Sequence, residues 1–93
     1  MPTFIVIGAF DPAVLPQMSA VIAEEVAQVE ILKAEGRLGS VFISPQRGRV
    51  FLEVFAEDEA GAVATAQTLP MAKWWELDIY PTMAPPGPPG GAA

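Results

Sequence analysis

The chain has 93 residues with no cysteine and no histidine, and its 5 basic and 11 acidic residues give a formal net charge of −6 at pH 7. This composition argues against a disulfide framework, a Ser–His or Cys–His catalytic couple, a tight zinc site and binding to nucleic acid. The apolar content of 52% is too high for a disordered chain, so we predict one acidic globular domain whose strong acid–base groups are carboxylates, with no metal ion and no cofactor.

The first part of the chain predicts a strand followed by a long helix. Thr3–Ala9 is β-branched and apolar, which is typical of a strand, and it is too short and lacks the basic residues for a membrane span or signal peptide. Pro12 and Pro16 mark the entry to a helix over Gln17–Glu35, a stretch without Gly or Pro that ends at Gly36. With no membrane segment and no cysteine, we expect a cytoplasmic protein without membrane contact.

The rest of the chain predicts a hairpin, a short helix and a last strand. The hairpin strands are Arg37–Ser44 and Arg49–Ala56, joined by a Pro-Gln-Arg-Gly turn. Asp58 can cap a helix over Glu59–Thr68, since its side chain can accept a hydrogen bond from the first turn. Lys73–Thr82 predicts the last strand, because Glu76, Asp78 and Tyr80 alternate with Trp75, Leu77 and Ile79.

The element order β-α-β-β-α-β predicts an α+β domain, a ferredoxin-like sandwich with both helices on one face of a single sheet. The second hairpin strand carries Phe51 and Phe55 on one side and Val50, Leu52 and Val54 on the other. Both faces of the sheet therefore hold apolar surface, and a second copy packing sheet to sheet would bury the face without helices. We expect a homodimer or a higher homo-oligomer.

The domain is expected to cover residues 1–83, with a Pro/Gly-rich C-terminal tail over 84–93. The tail holds four of the ten prolines and three of the eight glycines, and it has no side chain able to build a core. An extended, mobile tail is the simpler prediction. The alternative is a tail that lies across a neighbouring subunit or the mouth of a pocket.

One acidic residue interrupts the apolar side of the long helix. At about 100° per residue, Glu25 falls inside an apolar arc formed by Met18, Val21, Ile22, Val26, Val29 and Leu32. Desolvation there would raise the pKa of the carboxyl towards neutrality, which suits a general acid–base. The alternative is a structural role, in which Glu25 pairs with a Lys, Arg or Tyr or reaches water at the edge of the helix.

Further candidates lie on the strands. Trp74 and Trp75 are expected to place one ring on each face of the last strand. Packing is the simpler role for both rings, and the alternative is that Trp75 forms the wall of a substrate pocket. Asp78 shares a face with Tyr80, and Glu53 lies between two phenylalanines, so Glu53 and Asp78 are secondary substrate-binding candidates. The alternative for these carboxylates is ion pairing with arginines at a rim or dimer interface.

Three segments carry a family resemblance: Leu32–Leu38, Glu53–Glu59, and Leu69–Pro81, which runs from Leu-Pro-Met to Leu-Asp-Ile-Tyr-Pro. Together they resemble muconolactone isomerase. The resemblance implies a dimeric α+β barrel that shifts a double bond in an unsaturated lactone by proton transfer without a cofactor. It also implies that Glu25 is the proton carrier, because that family's first helix carries a Glu there.

The first functional hypothesis is therefore an isomerase acting on a small lactone-like or cyclic carbonyl substrate. Glu25 would take a proton from a carbon next to the carbonyl and return it one vinylogous position away, while Tyr80 or an arginine stabilises the enolate oxygen. The alternative is a noncatalytic small-ligand-binding or structural homo-oligomer. A third option is a polyketide-type cyclase.

Overall fold

Four strands and three helices form the described part of the computed structural model, residues 1–83. The strands are β1 (Thr3–Ala9), β2 (Leu38–Ser44), β3 (Arg49–Phe55) and β4 (Glu76–Pro81), and the helices are α1 (Leu15–Ser19), α2 (Ile22–Ala34) and α3 (Glu59–Gln67). Short 3-10 turns occur at Pro12–Val14, Pro45–Arg47 and Pro70–Trp74. Within residues 1–83 no helix has the length and apolar character needed to cross a bilayer. The predicted tail, residues 84–93, lies outside the described residues.

The strands form one antiparallel sheet in the order β2-β3-β1-β4. In this register Val6 at the centre of β1 faces Leu52 of β3 on one side and Ile79 of β4 on the other. The prediction of a small α+β domain is confirmed. Its element order and sheet order are consistent with a ferredoxin-like fold.

Alternation along the strands separates a core face from an open face of the sheet. Every second residue of β1 and β3 is buried, and Val6 and Val54 are fully so. Met18 and Leu32 of the helices belong to the same buried cluster, so the helices cover this core face. The intervening residues, among them Phe51, point to the open face, which no helix covers within residues 1–83.

The predicted single helix over Gln17–Glu35 is interrupted at Ala20–Val21, so the prediction of one continuous helix was wrong. The Ala20 N–H is shared between the carbonyls of Pro16 and Gln17 at 3.2 Å each, and the backbone of Val21 leaves helical geometry with φ −111° and ψ 20°. No Gly or Pro marks this break, because it arises from a tightened last turn of α1 rather than from a residue that cannot be helical.

The predicted apolar arc is buried only in part. Met18 and Leu32 are buried, whereas Ile22 and Val26 are 57% and 56% exposed. Only one side of α2 therefore contacts the sheet. The remaining apolar surface of α2 forms the rim of the cavity described below.

The last strand begins later than predicted, because Lys73 and Trp74 belong to a 3-10 turn that starts at Pro70. Leu69 is extended, as the residue before a proline prefers, and the fixed φ of Pro70 suits the first position of a helical turn. Consequently the two tryptophans do not lie on alternate faces of a strand. Trp74 is half-buried in the turn, and Trp75 is buried between the turn and β4.

Two predicted helix ends are confirmed. Asp58 caps α3, with its Oδ1 accepting a hydrogen bond of 2.8 Å from the Gly61 N–H. After α2, Gly36 takes a left-handed φ of 72°, a conformation that glycine adopts without the strain of a side chain. This turn leads the chain directly into β2 and fixes where α2 lies against that strand.

Candidate functional site

A cavity of about 320 Å³ lies between α2, the β2–β3 edge of the sheet and the 3-10 turn. Its walls are mainly apolar and include Val26 and Val29 of α2, Val41 and Val50 of the sheet, and Met71 and Trp75 from the turn and the residue after it. This volume is at the lower end of the range for small-molecule pockets, roughly 300–1,000 Å³. The cavity is open to solvent on the side where Ile22, Val26 and Ile43 are exposed.

Glu25 lies in the wall of this cavity and is half-buried. Its Oε1 accepts a hydrogen bond of 2.9 Å from the backbone N–H of Met71, 46 residues further along the chain. Burial raises the pKa of the Glu25 carboxyl above its ordinary value of 4.5, and this effect outweighs the Met71 hydrogen bond, which lowers the pKa. The position of Glu25 in the apolar arc predicts this direction of shift.

The structural alternative for Glu25 is met in part, because no Lys, Arg or Tyr pairs with it within residues 1–83, whereas its half-buried side chain lies at a cavity that is open to water. Among residues 1–83 the carboxyl has no Lys, Arg or Tyr partner, and only the Met71 amide binds it. That single hydrogen bond holds one carboxyl oxygen in place. The second oxygen has no hydrogen-bond partner in the described part of the chain, and it is available to accept or donate a proton.

Trp75 forms another part of the same wall, and its indole is held by a close approach to β1. A Cβ on Gly8 would lie only 2.9 Å from Cδ2 of Trp75, so the ring packs where only glycine leaves room. Trp75 is 9% exposed, and its buried Nε1 has no hydrogen-bond partner within residues 1–83. Leaving such a donor unpaired costs about 1–3 kcal/mol.

The other predicted site residues lie on the open face, away from this cavity. Tyr80 and Glu53 are both paired with Ile5 in the sheet register, and Asp78 is two residues from Tyr80 on the same face. The Tyr80 hydroxyl donates to Asp78, and this hydrogen bond together with the Asp78 charge raises the pKa of Tyr80. Glu53 accepts a hydrogen bond of 2.9 Å from the Ser40 N–H.

The structure therefore brings Glu25 and Trp75 together and separates them from Tyr80, Asp78 and Glu53. It also adds Met71, which the sequence did not indicate. Met71 contributes a backbone N–H, so the type of residue at this position does not indicate the contact with Glu25. The Leu-Pro pair before it marks the turn that presents this N–H, and that was the one feature from which a turn here could have been predicted.

Ion pairs and metal-binding clusters do not account for the acidic residues. In residues 1–83 the one ion pair joins Arg37 to Glu35 at 3.3 Å, while Arg49 donates to the carbonyls of Arg47 and Gly48. No three acidic side chains of the described chain come close enough to hold a metal ion together. The chemistry available at the cavity is thus that of carboxyls in apolar surroundings, with Glu25 half-buried and Glu30 exposed.

Comparison of the sequence with protein-family models and with curated proteins finds no match. A half-buried carboxyl with a raised pKa, held by one backbone amide, is suited to exchange a proton with a bound molecule.

Proposed function

We propose that the protein is a cofactor-independent isomerase, similar to muconolactone isomerase, that moves a double bond in a small lactone or cyclic carbonyl compound. The observation that supports the proposal most directly is Glu25, half-buried in an apolar cavity of about 320 Å³ with its pKa raised by that burial. We place the reaction in the cytoplasm, with which the lack of cysteine is compatible.

Glu25 acts first as the base and then as the acid. Its free oxygen removes a proton from the carbon next to the carbonyl, and the C–H electron pair moves into an enolate conjugated with the existing double bond. The same carboxyl then returns the proton to the far end of that conjugated system, which leaves the double bond shifted and Glu25 ionised again. Positioned acid–base groups of this kind contribute about 10²–10⁴-fold to a rate.

Met71 and Trp75 position the reaction rather than exchange protons. The Met71 N–H holds one oxygen of Glu25, so the other is directed to the substrate. The ring of Trp75 gives the substrate a flat apolar wall. Tyr80 lies on the opposite face of the sheet from Glu25, so we leave it out of the proton-transfer step within one chain.

Exchange of substrate hydrogens for deuterium tests this proposal without assuming which compound is the natural substrate. Unsaturated five-membered lactones and cyclic enones are incubated with the protein in D₂O, and NMR follows the loss of hydrogen from the carbon next to the carbonyl and the uptake of deuterium at the far end of the conjugated system. We expect Glu25→Gln to slow the protein-catalysed exchange by about 100-fold or more. Glu24→Gln, an exposed neighbour on the same helix, is the matched control and keeps the wild-type rate. Equal rates for Glu25→Gln and the wild type would contradict the proposal.

The open face supports a second proposal, that two copies pair sheet to sheet as a dimeric α+β barrel. Phe42 and Tyr80 are 66% and 47% exposed, and together with Phe51 they leave aromatic surface on the uncovered side of the sheet. In such a dimer Glu53 and Asp78 belong to the interface. If the dimer forms but no lactone or enone is turned over, a ligand-binding or structural homo-oligomer is the better description.

Analytical ultracentrifugation tests the dimer. The wild type is expected to sediment as a dimer or larger species at micromolar concentration. Phe42→Glu places a charge on the open face and is expected to shift the protein towards monomer, whereas Ile31→Glu, an equally polar change at an exposed position of α2, is not. A wild-type protein that remains a monomer would overturn this proposal.

A further inference from the structure

The charge of the Glu25 cavity points to the kind of molecule it accepts. We infer that the cavity binds uncharged carbonyl compounds and rejects those that carry a carboxylate. This inference rests on the proposed function, because it specifies the substrate class of the same site.

The cavity has acidic but no basic groups in its wall. Glu25 and Glu30 both line it, and they are its charged residues. A carboxylate ligand would lose its hydration in an apolar cavity and would lie beside like charges without a cation to pair with. A neutral ligand carries neither cost.

The basic residues of the chain are engaged or placed elsewhere. The chain has five Lys and Arg residues, all within residues 1–83, and none of them lines the cavity. Arg37 binds Glu35 and the Thr65 hydroxyl. Arg49 donates to backbone carbonyls, and the Lys73 ammonium lies over the Trp74 ring at 4.4 Å. No side-chain cation is therefore presented to a ligand next to Glu25.

Trp75 gives the cavity apolar wall and no polar contact. The residue lines the cavity, but its indole N–H is buried away from solvent and has no partner among the described residues. The Met71 N–H is already engaged by Glu25. A ligand beside Glu25 therefore meets mainly apolar side chains. The exposed apolar rim at Ile22 and Val26 favours a ligand that is otherwise nonpolar.

A matched pair of lactones tests the inference by binding alone. The probes are a saturated five-membered lactone bearing a methyl ester and the same lactone bearing the free acid, and neither can undergo the double-bond shift. Isothermal titration calorimetry on the full chain at about pH 7.5 measures both dissociation constants. We expect the ester to bind at least about tenfold more tightly than the acid, because the acid brings a negative charge beside Glu25 and Glu30. Equal or tighter binding of the acid would overturn the inference, and so would binding of neither compound.

Charge-removing variants show whether the two carboxylates cause the preference. Glu25→Gln is expected to improve binding of the acid relative to the ester several-fold, and Glu30→Gln, at an exposed position, is expected to improve it less. Glu24→Gln, outside the cavity, is the control and is expected to change neither constant. An unchanged ester-to-acid ratio in both cavity variants would contradict the electrostatic cause. Circular dichroism confirms that each variant is folded.

Trp75→Phe tests the apolar wall, because it keeps an aromatic ring and removes the buried N–H. We expect ester binding to change by less than about twofold, since the ligand forms no hydrogen bond with this N–H. A loss of about tenfold in a folded variant would overturn the apolar role of the wall. The proposed function and the neutral-ligand inference can fail independently. Tighter binding of the ester without deuterium exchange on unsaturated lactones would refute the isomerase and keep the neutral-ligand inference. Deuterium exchange together with tighter binding of the acid would keep the isomerase and refute the neutral-ligand inference.

Discussion

Gly8→Ala tests how closely β1 holds Trp75 in the cavity wall. A Cβ on Gly8 would lie 2.9 Å from Cδ2, 3.0 Å from Cγ and 3.1 Å from Cβ of Trp75. Favourable carbon–carbon contacts lie at about 3.5–4.0 Å. Two of the three atoms lie close to the Trp75 backbone, so turning the ring does not relieve the contact and the chain itself must shift.

Overpacking of this kind costs about 1–3 kcal/mol, so we expect Gly8→Ala to lower the unfolding free energy by that amount. In a domain of this size each kcal/mol lowers the melting temperature by about 4–8 °C. Urea and thermal unfolding followed by circular dichroism measure the loss. Tryptophan fluorescence shows whether the surroundings of Trp75 have changed.

Gly36→Ala is the matched control for this variant. A Cβ there meets nothing within 4 Å, but the residue has a φ of 72°, so its cost comes from left-handed backbone strain of about 1 kcal/mol. It should therefore leave tryptophan fluorescence unchanged. A Gly8→Ala protein with wild-type stability and an unchanged fluorescence spectrum would refute the close packing of Trp75 against β1.

Three further predictions concern the acidic cavity residue, the core and a helix cap. Glu25→Gln should raise the unfolding free energy near pH 7, because the raised folded-state pKa makes ionised Glu25 destabilising. The unfolding free energy of the wild type falls as pH rises through the folded-state pKa of Glu25, so the variant is the more stable protein only above that range. Below about pH 4.5, where Glu25 is protonated in both the folded and the unfolded wild type, the difference between the two proteins should vanish. Urea unfolding between pH 3.5 and 8 measures the difference, and equal stability of the two proteins throughout would contradict the prediction. Leu32→Ala removes a fully buried side chain and should cost about 2–5 kcal/mol by urea unfolding, whereas Ile31→Ala, at a position 51% exposed, should cost clearly less. Asp58→Ala removes the cap of α3 and should lower the unfolding free energy by about 0.5–2 kcal/mol, measured by thermal melting. Asp58→Asn should be close to wild type, and similar losses of stability in both variants would argue against the cap.

The strands could be predicted from the sequence because their alternation reflects a sheet with two distinct faces. Thr3–Ala9 was predicted with its observed bounds, and the hairpin strands agree to within one residue at each end. The cap at Asp58 was predictable for a similar reason, since it depends on a local hydrogen bond between nearby residues.

The break between α1 and α2 could not be predicted from local sequence. Ala20 and Val21 are compatible with a helix, and the interruption depends on how Met18 and Leu32 reach the same core from separate segments. The start of β4 was misplaced because Trp74 and Trp75 are residues typical of strands, although Pro70 begins a 3-10 turn that runs through Trp74. In the first case tertiary packing overrides a local pattern, and in the second a local proline signal was missed.

The position of Glu25 in an apolar arc could be predicted, but its surroundings could not. Helical periodicity shows that Glu25 shares a side of the helix with apolar residues, and it does not show whether that side meets the sheet or opens to a cavity. The distance between Glu25 and Tyr80 depends on the sheet register, which places Tyr80 with Ile5 on the open face. The contact with Met71 joins segments 46 residues apart through a backbone atom, so no pattern of side chains indicates it.

The titration of the Glu25 carboxyl is the most direct test of its role as the proton carrier. ¹³C NMR of the side-chain carboxyl groups, assigned by comparison with Glu25→Gln, gives the pKa of Glu25 in the folded protein. We predict a pKa for Glu25 clearly above 4.5, because burial in the cavity wall disfavours the ionised form. A pKa at or below 4.5 would mean that the carboxyl is fully solvated or stabilised as an anion, and it would contradict a desolvated acid–base at this site.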